Sequence, residues 1–181
     1  MRAFLLIVSF ILFSSGNLFA GAEVRTAQFG FDSFIVEVTT GKLLRTEKVI
    51  GGVKYDDIGI EGGAVMNIAG LPALPYITRM IEIGDGGKPD VEIISFKRKT
   101  LKDINVIPAP EKPKRCVGGE WKYHCDGAAY GSGNPFPDKI ADIDSIGTMR
   151  GVNIARLSIY PVIFFPKKGE AAVYTHLKIK I

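Results

Sequence analysis

The sequence predicts an all-β chain, an antiparallel β-sandwich of short strands with one long Pro/Gly-rich loop, and three features carry that prediction. From Phe31 onward, short runs of β-branched and aromatic residues are separated by clusters of Gly, Pro and Asp. In the mature part, no stretch carries the apolar stripe of a helix three turns long. The last run, Ala171 to Ile181, alternates cleanly: Val173, Thr175, Leu177, Ile179 and Ile181 fall on one face, and Tyr174, His176, Lys178 and Lys180 on the other.

In chain order, residues 1–22 read as a secretory signal peptide, with Arg2, an apolar run from Ala3 to Phe13, and the small-residue pattern Ala20-Gly21-Ala22. That run is too short for the roughly twenty residues a membrane-spanning helix needs. No later segment qualifies, and no lipid-attachment cysteine sits near the cleavage point. The exported chain is expected to begin at Glu23, or else at Gly21, and to form one domain over residues 23–181, secreted or periplasmic. The net charge is +4. Its cations are spread along strands rather than gathered with aromatics, which argues against a nucleic-acid partner.

Phe34, Val36 and Val38 alternate with Ile35, Glu37 and Thr39 in a half-buried strand, and Leu43 to Ile50 reads as its hairpin partner. Gly51-Gly52 is a two-residue turn, followed by strands at Val53–Ile60 and Ala64–Ile68. The stretch Ala69-Gly70-Leu71-Pro72-Ala73-Leu74-Pro75-Tyr76 is held stiff and extended by its prolines. It cannot be fully laddered within a sheet, because Pro72 and Pro75 lack an N–H, so it belongs at an edge or a crossover. It leads into a strand over Tyr76–Ile83; a further strand follows at Val91–Lys99, and a short one is expected at Asp103–Ile107. From about residue 108 to 138 the density of Pro and Gly predicts a long loop, the kind that in a compact domain is functional or partly disordered. Order returns with Gly151–Tyr160, then Pro161-Val162-Ile163-Phe164-Phe165-Pro166, a turn at Lys167-Lys168-Gly169-Glu170, and the last run from Ala171.

The two cysteines, Cys116 and Cys125, lie close together in an exported chain and are read as one disulfide. Such a small ring would add roughly 2.5 to 3 kcal/mol. Cys125 follows His124, but neighbours on an extended chain point apart, and His176 lies on the last strand, so no nucleophile–base pair is indicated. The spacing of Cys116, His124, Cys125 and His176 fits no usual zinc motif. Asp56-Asp57, Asp138, Asp142 and Asp144 read as solvated turn acids rather than a calcium cage. No cofactor or metal is called for. Trp121, Tyr123 and Tyr130 form either a sugar platform or a plug that packs the loop onto the core.

Four groups of residues then occur in a telling order: Gly70-Leu71-Pro72-Ala73-Leu74-Pro75, Val106-Ile107-Pro108-Ala109, Arg150-Gly151, and Tyr160-Pro161-Val162 with Pro166 and Ala172-Val173-Tyr174 beyond it. Over about Ile60 to Ile181 this resembles the propeptide of gingipain-type, caspase-like cysteine peptidases. The aromatic-Asn-Pro turn of that family is altered here to Phe164-Phe165-Pro166. The resemblance implies a prodomain that assists folding of a secreted cysteine endopeptidase and keeps it latent by occupying its substrate cleft. This chain would then hold no catalytic machinery itself, and its partner would be a gingipain-like catalytic domain, in cis or in trans. In Arg- or Lys-specific relatives that cleft carries an acidic pocket, so Lys114, Arg115 and Lys122 are the candidate inhibitory residues. The rival expectation is a free-standing extracellular adhesion or carbohydrate-binding module, with its aromatics exposed together.

Overall fold

A computed structural model describes residues 21–28, 33–84, 89–113 and 119–181, so residues 1–20, where the signal peptide is expected, and Lys114, Arg115 and Cys116 lie outside the described residues. The chain is all-β. Its strands are β1 (Glu23–Gln28), β2 (Phe34–Thr39), β3 (Leu43–Ile50), β4 (Val53–Ile60), β5 (Ala64–Val65), β6 (Pro75–Ile83), β7 (Glu92–Lys102), β8 (Ala141–Met149), β9 (Val152–Ile159), β10 (Val162–Phe165) and β11 (Glu170–Lys180). The described helix is a short one, α1 (Gly127–Gly131), and Pro166–Lys168 forms a 3₁₀ turn.

β11 organises the larger sheet. Along one edge it pairs with β7, from Glu170↔Lys102 to Lys180↔Glu92. Along the other it pairs first with β10, up to Val162↔Val173, and then with β2, from His176↔Thr39 to Lys180↔Ile35; β1 adds outside β2. A four-stranded sheet runs β5-β6-β9-β8, and β3 and β4 form a ribbon. Val36, Val38, Leu177 and Ile179 of the first sheet and Ile77, Ile81, Leu157 and Ile159 of the second fall in one buried cluster. Ala171 and Val173 face a second cluster with Ile58, Leu74, Val106, Val162 and Phe164.

The register of β11 corrects the expected alternation. Between Tyr174 and His176 the pairing with β7 slips by one residue. A bulge of this kind reverses which parity faces inward. Ala172 and Tyr174 therefore share a cluster with Leu177 and Ile179, while Val173 lies on the opposite side.

Other expectations are also revised. β3 pairs with β4 across Gly51 and Gly52, both at positive φ, and not with β2. The backbone explains why the chain leaves β2 for a separate ribbon: Gly41 lies so close to the Glu61 carbonyl that a Cβ would collide with it, and Glu61 N–H donates to the Lys42 carbonyl at 3.0 Å. Two strands went unread, β1 and β8. Asp142 and Asp144 are strand residues whose carboxylates meet Lys139 and Arg156, each at 3.0 Å.

Residues 103–107 are not a strand but are fastened to β4 by one carboxylate. Buried Asp56 accepts from the Asn105 N–H at 2.8 Å and from Arg45 Nε at 2.8 Å. The backbones are joined as well, through Asp56 N–H to the Asn105 carbonyl (2.6 Å) and Ile107 N–H to the Asp56 carbonyl (2.9 Å). Removing an acceptor of this kind strands a buried N–H. Asp56→Ala is therefore expected to lower stability by about 2 kcal/mol, and Asp56→Asn, which keeps an acceptor, by about half that. Urea unfolding with an unchanged slope is the measurement; equal midpoints for both variants and the wild type would refute it.

Candidate functional site

The proline stretch and the segment after β7 lie side by side. Ala73 N–H donates to the Ile107 carbonyl and Ala109 N–H to the Leu71 carbonyl, both at 2.8 Å, and Gly70 N–H reaches the Ala109 carbonyl at 2.9 Å. Pro72 sits opposite Pro108 between these bonds. In an antiparallel ladder that is the position where neither residue's N–H is used, so two residues without N–H groups face each other at no hydrogen-bonding cost. Pro72, Ala73, Leu74 and Pro75 are all buried. Pro75 is the first residue of β6, where a missing donor is tolerated.

This ladder is the base of the 108–138 loop. Its outgoing limb is Ala109-Pro110-Glu111, and its returning limb is Lys122 to Asp126. Glu111 N–H donates to the Lys122 carbonyl at 2.8 Å and closes the neck. The returning limb is tied down by Asp126 N–H, which donates to the Gly70 carbonyl at 2.9 Å. Gly70 has φ +83°, which favours glycine, and a Cβ there would lie 2.8 Å from His124 Nε2, so that exposed ring would have to turn aside for any other residue.

Asp126 then caps α1, its carboxylate accepting from the N–H groups of Ala128 (2.8 Å) and Ala129 (3.2 Å). Tyr130 of α1 packs edge-on to Phe164 and donates its hydroxyl to the Val106 carbonyl at 2.9 Å. It is the plug that joins the loop to the second cluster.

Trp121 and Tyr123 differ from Tyr130 in that both remain exposed. With Lys48, Asp57, Asn67 and Pro110 they line an open cleft of about 390 Å³ whose floor is Ala73, Ile107, Pro108 and Ala109. Lys48 and Asp57 pair at 2.6 Å, and that contact raises the Lys48 pKa above the usual lysine value.

Lys122 is exposed, with its main chain in the neck. Lys114 and Arg115 fall between the limbs in sequence, outside the described residues, as does Cys116. Cys125 is an exposed thiol 3.4 Å from Tyr55 Oη, a phenol rather than an imidazole. That hydrogen bond, followed by burial, raises the Tyr55 pKa. His176 lies on β11 beside Thr39. Gly70, Pro72, Leu74, Pro75 and Pro108 build the loop base. Pro161 and Pro166 instead shape the two ends of β10, the Pro161 carbonyl accepting from Tyr174 N–H at 2.8 Å and Pro166 opening the 3₁₀ turn. The Asp56 clamp is the piece that sequence reasoning missed; an acid in the middle of a strand is its only signal.

The Propeptide_C25 family model matches residues 36–181. The chain belongs to this propeptide family. Lys-gingipain HG66 of Porphyromonas gingivalis is 21% identical to it over 196 residues, covering all of this chain and 11% of that protein. Gingipain R1 of the same organism is 23% identical over 119 residues, covering 66% of this chain and 12% of the relative. This C25 propeptide thus spans about a tenth of the length of these curated relatives. A solved structure described as giving insight into the zymogenic latency of gingipain K superposes with a TM-score of 0.71 at 21% identity, covering 88% of this chain and 91% of that one. A complex of the RgpB pro- and mature domains gives 0.78 at 20% identity, covering 87% and 83%. Both comprise the same fold.

Burial raises the Tyr130 pKa well above its ordinary 10.0, with Cys125 and Tyr55 adding to the effect. Above about pH 10 the unfolded chain loses this proton while the folded one keeps it, so stability falls as pH rises. Tyr130→Phe should flatten that alkaline decline relative to wild type in urea titrations at pH 8 to 11. Tyr55 leaves some slope in place, and a wild-type slope in the variant would refute the assignment.

Proposed function

We propose that this C25 propeptide is the prodomain of a secreted gingipain-type cysteine endopeptidase, assisting its folding and holding it latent by inserting the 108–138 loop into the substrate cleft. The observation that carries the reading is the construction of that loop. Its two limbs are cross-bonded at Glu111 and Lys122 and rooted on the ladder of Gly70 to Pro75. A loop ordered before binding does not have to be ordered by its partner, which lowers the entropic cost of association.

Lys114 and Arg115 fall at the tip positions of this loop in sequence, with Lys122 at the neck. In this reading Lys114 or Arg115 enters the primary specificity pocket of an Arg- or Lys-specific partner as a substrate mimic. Pairing of the RgpB pro- and mature domains in a solved complex supports the prodomain reading, while the choice of Lys114 or Arg115 rests on their place between the two limbs in sequence. Export through the leader belongs to the same proposal, as does a Cys116–Cys125 disulfide, which would replace the Cys125 thiol seen beside Tyr55.

Two measurements test it. The purified chain should slow the gingipain-type peptidase encoded with it, or Lys-gingipain, and Lys114→Ala/Arg115→Ala should weaken that inhibition at least about tenfold, as loss of a buried charged anchor does. A chain that neither binds nor slows any such enzyme ends the prodomain reading, whereas an equally potent double variant ends only the assignment of the tip. Labelling of the denatured, unreduced protein should find no free thiol; two labelled thiols would exclude the disulfide.

A further inference from the structure

The cleft beside the loop neck has a chemistry that points to an occupant. Trp121 and Tyr123 keep 52% and 37% of their surfaces in solvent. They stand over an apolar floor in a cavity of about 390 Å³, within the roughly 300–1,000 Å³ of sites that enclose a small molecule or a side chain. The full charges on its wall, Lys48 and Asp57, neutralise each other at 2.6 Å. A ligand entering here gains apolar and aromatic contact and no unpaired charge.

Position narrows the choice further. Trp121 precedes Lys122, whose carbonyl closes the neck, and Pro110 on the opposite limb lines the same cleft. A partner that covers the neck of the loop therefore meets Trp121 and Pro110 together. Tryptophan and tyrosine are favoured anchors because they bring a large rigid area with few torsions to freeze, and here both are held by limbs already fastened to the ladder.

We propose that this cleft receives an apolar side chain projecting from the rim of the peptidase's substrate groove, with Trp121 as the anchor of the interface. The proposal rests on the prodomain reading and divides the labour within it: the basic tip selects the enzyme, and the aromatic cleft supplies most of the affinity.

The test compares the purified wild-type chain, Trp121→Ala, Trp121→Phe and Lys114→Ala/Arg115→Ala for binding to the gingipain-type catalytic domain encoded with this chain, or to that of Lys-gingipain. Trp121→Ala should raise Kd on the order of thirtyfold, with an unchanged unfolding midpoint, and Trp121→Phe should recover most of the loss. Combining it with the tip variant should give additive effects, because the two act in separate pockets. A Kd for Trp121→Ala within about twofold of wild type overturns the anchor, whatever the tip variant does. A wild-type chain that binds no such enzyme overturns both readings, whereas loss of binding in Trp121→Ala alone leaves the anchor standing and removes the tip. Trp121 is the only tryptophan in the chain. A shift of its fluorescence with soluble oligosaccharides, beside unaltered peptidase binding, would hand the cleft to a saccharide and overturn the proposal.

Discussion

Two prolines facing each other hold the base of the 108–138 loop together. Pro72 and Pro108 occupy the one kind of ladder position where an N–H has no inward partner, and the bonds on either side, from Ala73 and Ala109, fix the register between them. Proline also removes conformational freedom from the unfolded chain, so each adds rigidity without requiring a further contact. Gly70 supplies the positive φ that turns its carbonyl toward Asp126, and Leu74 sinks fully into the cluster beneath. A motif of residues with no reactive groups thereby becomes the foundation of the 108–138 loop.

The Asp56 carboxylate does the same work one layer down. Residues 103–107 have no ladder partner of ordinary length, and their bridge to β4 is parallel, at Asp56↔Val106. A parallel contact with so few bonds does not hold a segment in place alone. The buried acid adds a charge-assisted bond to the Asn105 N–H and draws in Arg45, and Val106 then carries the acceptor for Tyr130. The chain of attachment runs from β4 through residues 105–107 to α1.

Much of the β architecture was legible because alternation and glycine turns report directly on a half-buried ribbon. The bounds of β3, β4 and β6 follow from Leu43–Ile50, Gly51-Gly52 and the Pro75 lead-in. Pairing was not legible in the same way, since the sequence says which face is apolar and not which neighbour covers it. Leu43–Ile50 was matched to the nearest strand in sequence, while β2 pairs with β11, from the far end of the chain. β8 was hidden by Asp142, Asp144 and Gly147, which an edge strand tolerates because only one of its faces needs to be apolar. The bulge in β11 leaves no mark in composition at all. Only tertiary packing against two separate clusters on opposite faces reveals it.

The loop shows why composition misleads about order. Its proline and glycine content reads as the absence of structure, yet its limbs are fixed by bonds of Glu111, Asp126 and Tyr130 rather than by a ladder of their own. Gly70 leaves room for the His124 ring, Asp126 caps α1 with its carboxylate, and Tyr130 gives its hydroxyl to Val106. The Asp126 cap is local to the loop, whereas the Asp126 N–H to Gly70 and the Tyr130 hydroxyl to Val106 join it to residues distant in sequence, so neither shows as local periodicity. Because the Glu111–Lys122 bond already brings the two limbs together, the entropy of closing the loop's neck is met by the fold itself rather than by a partner.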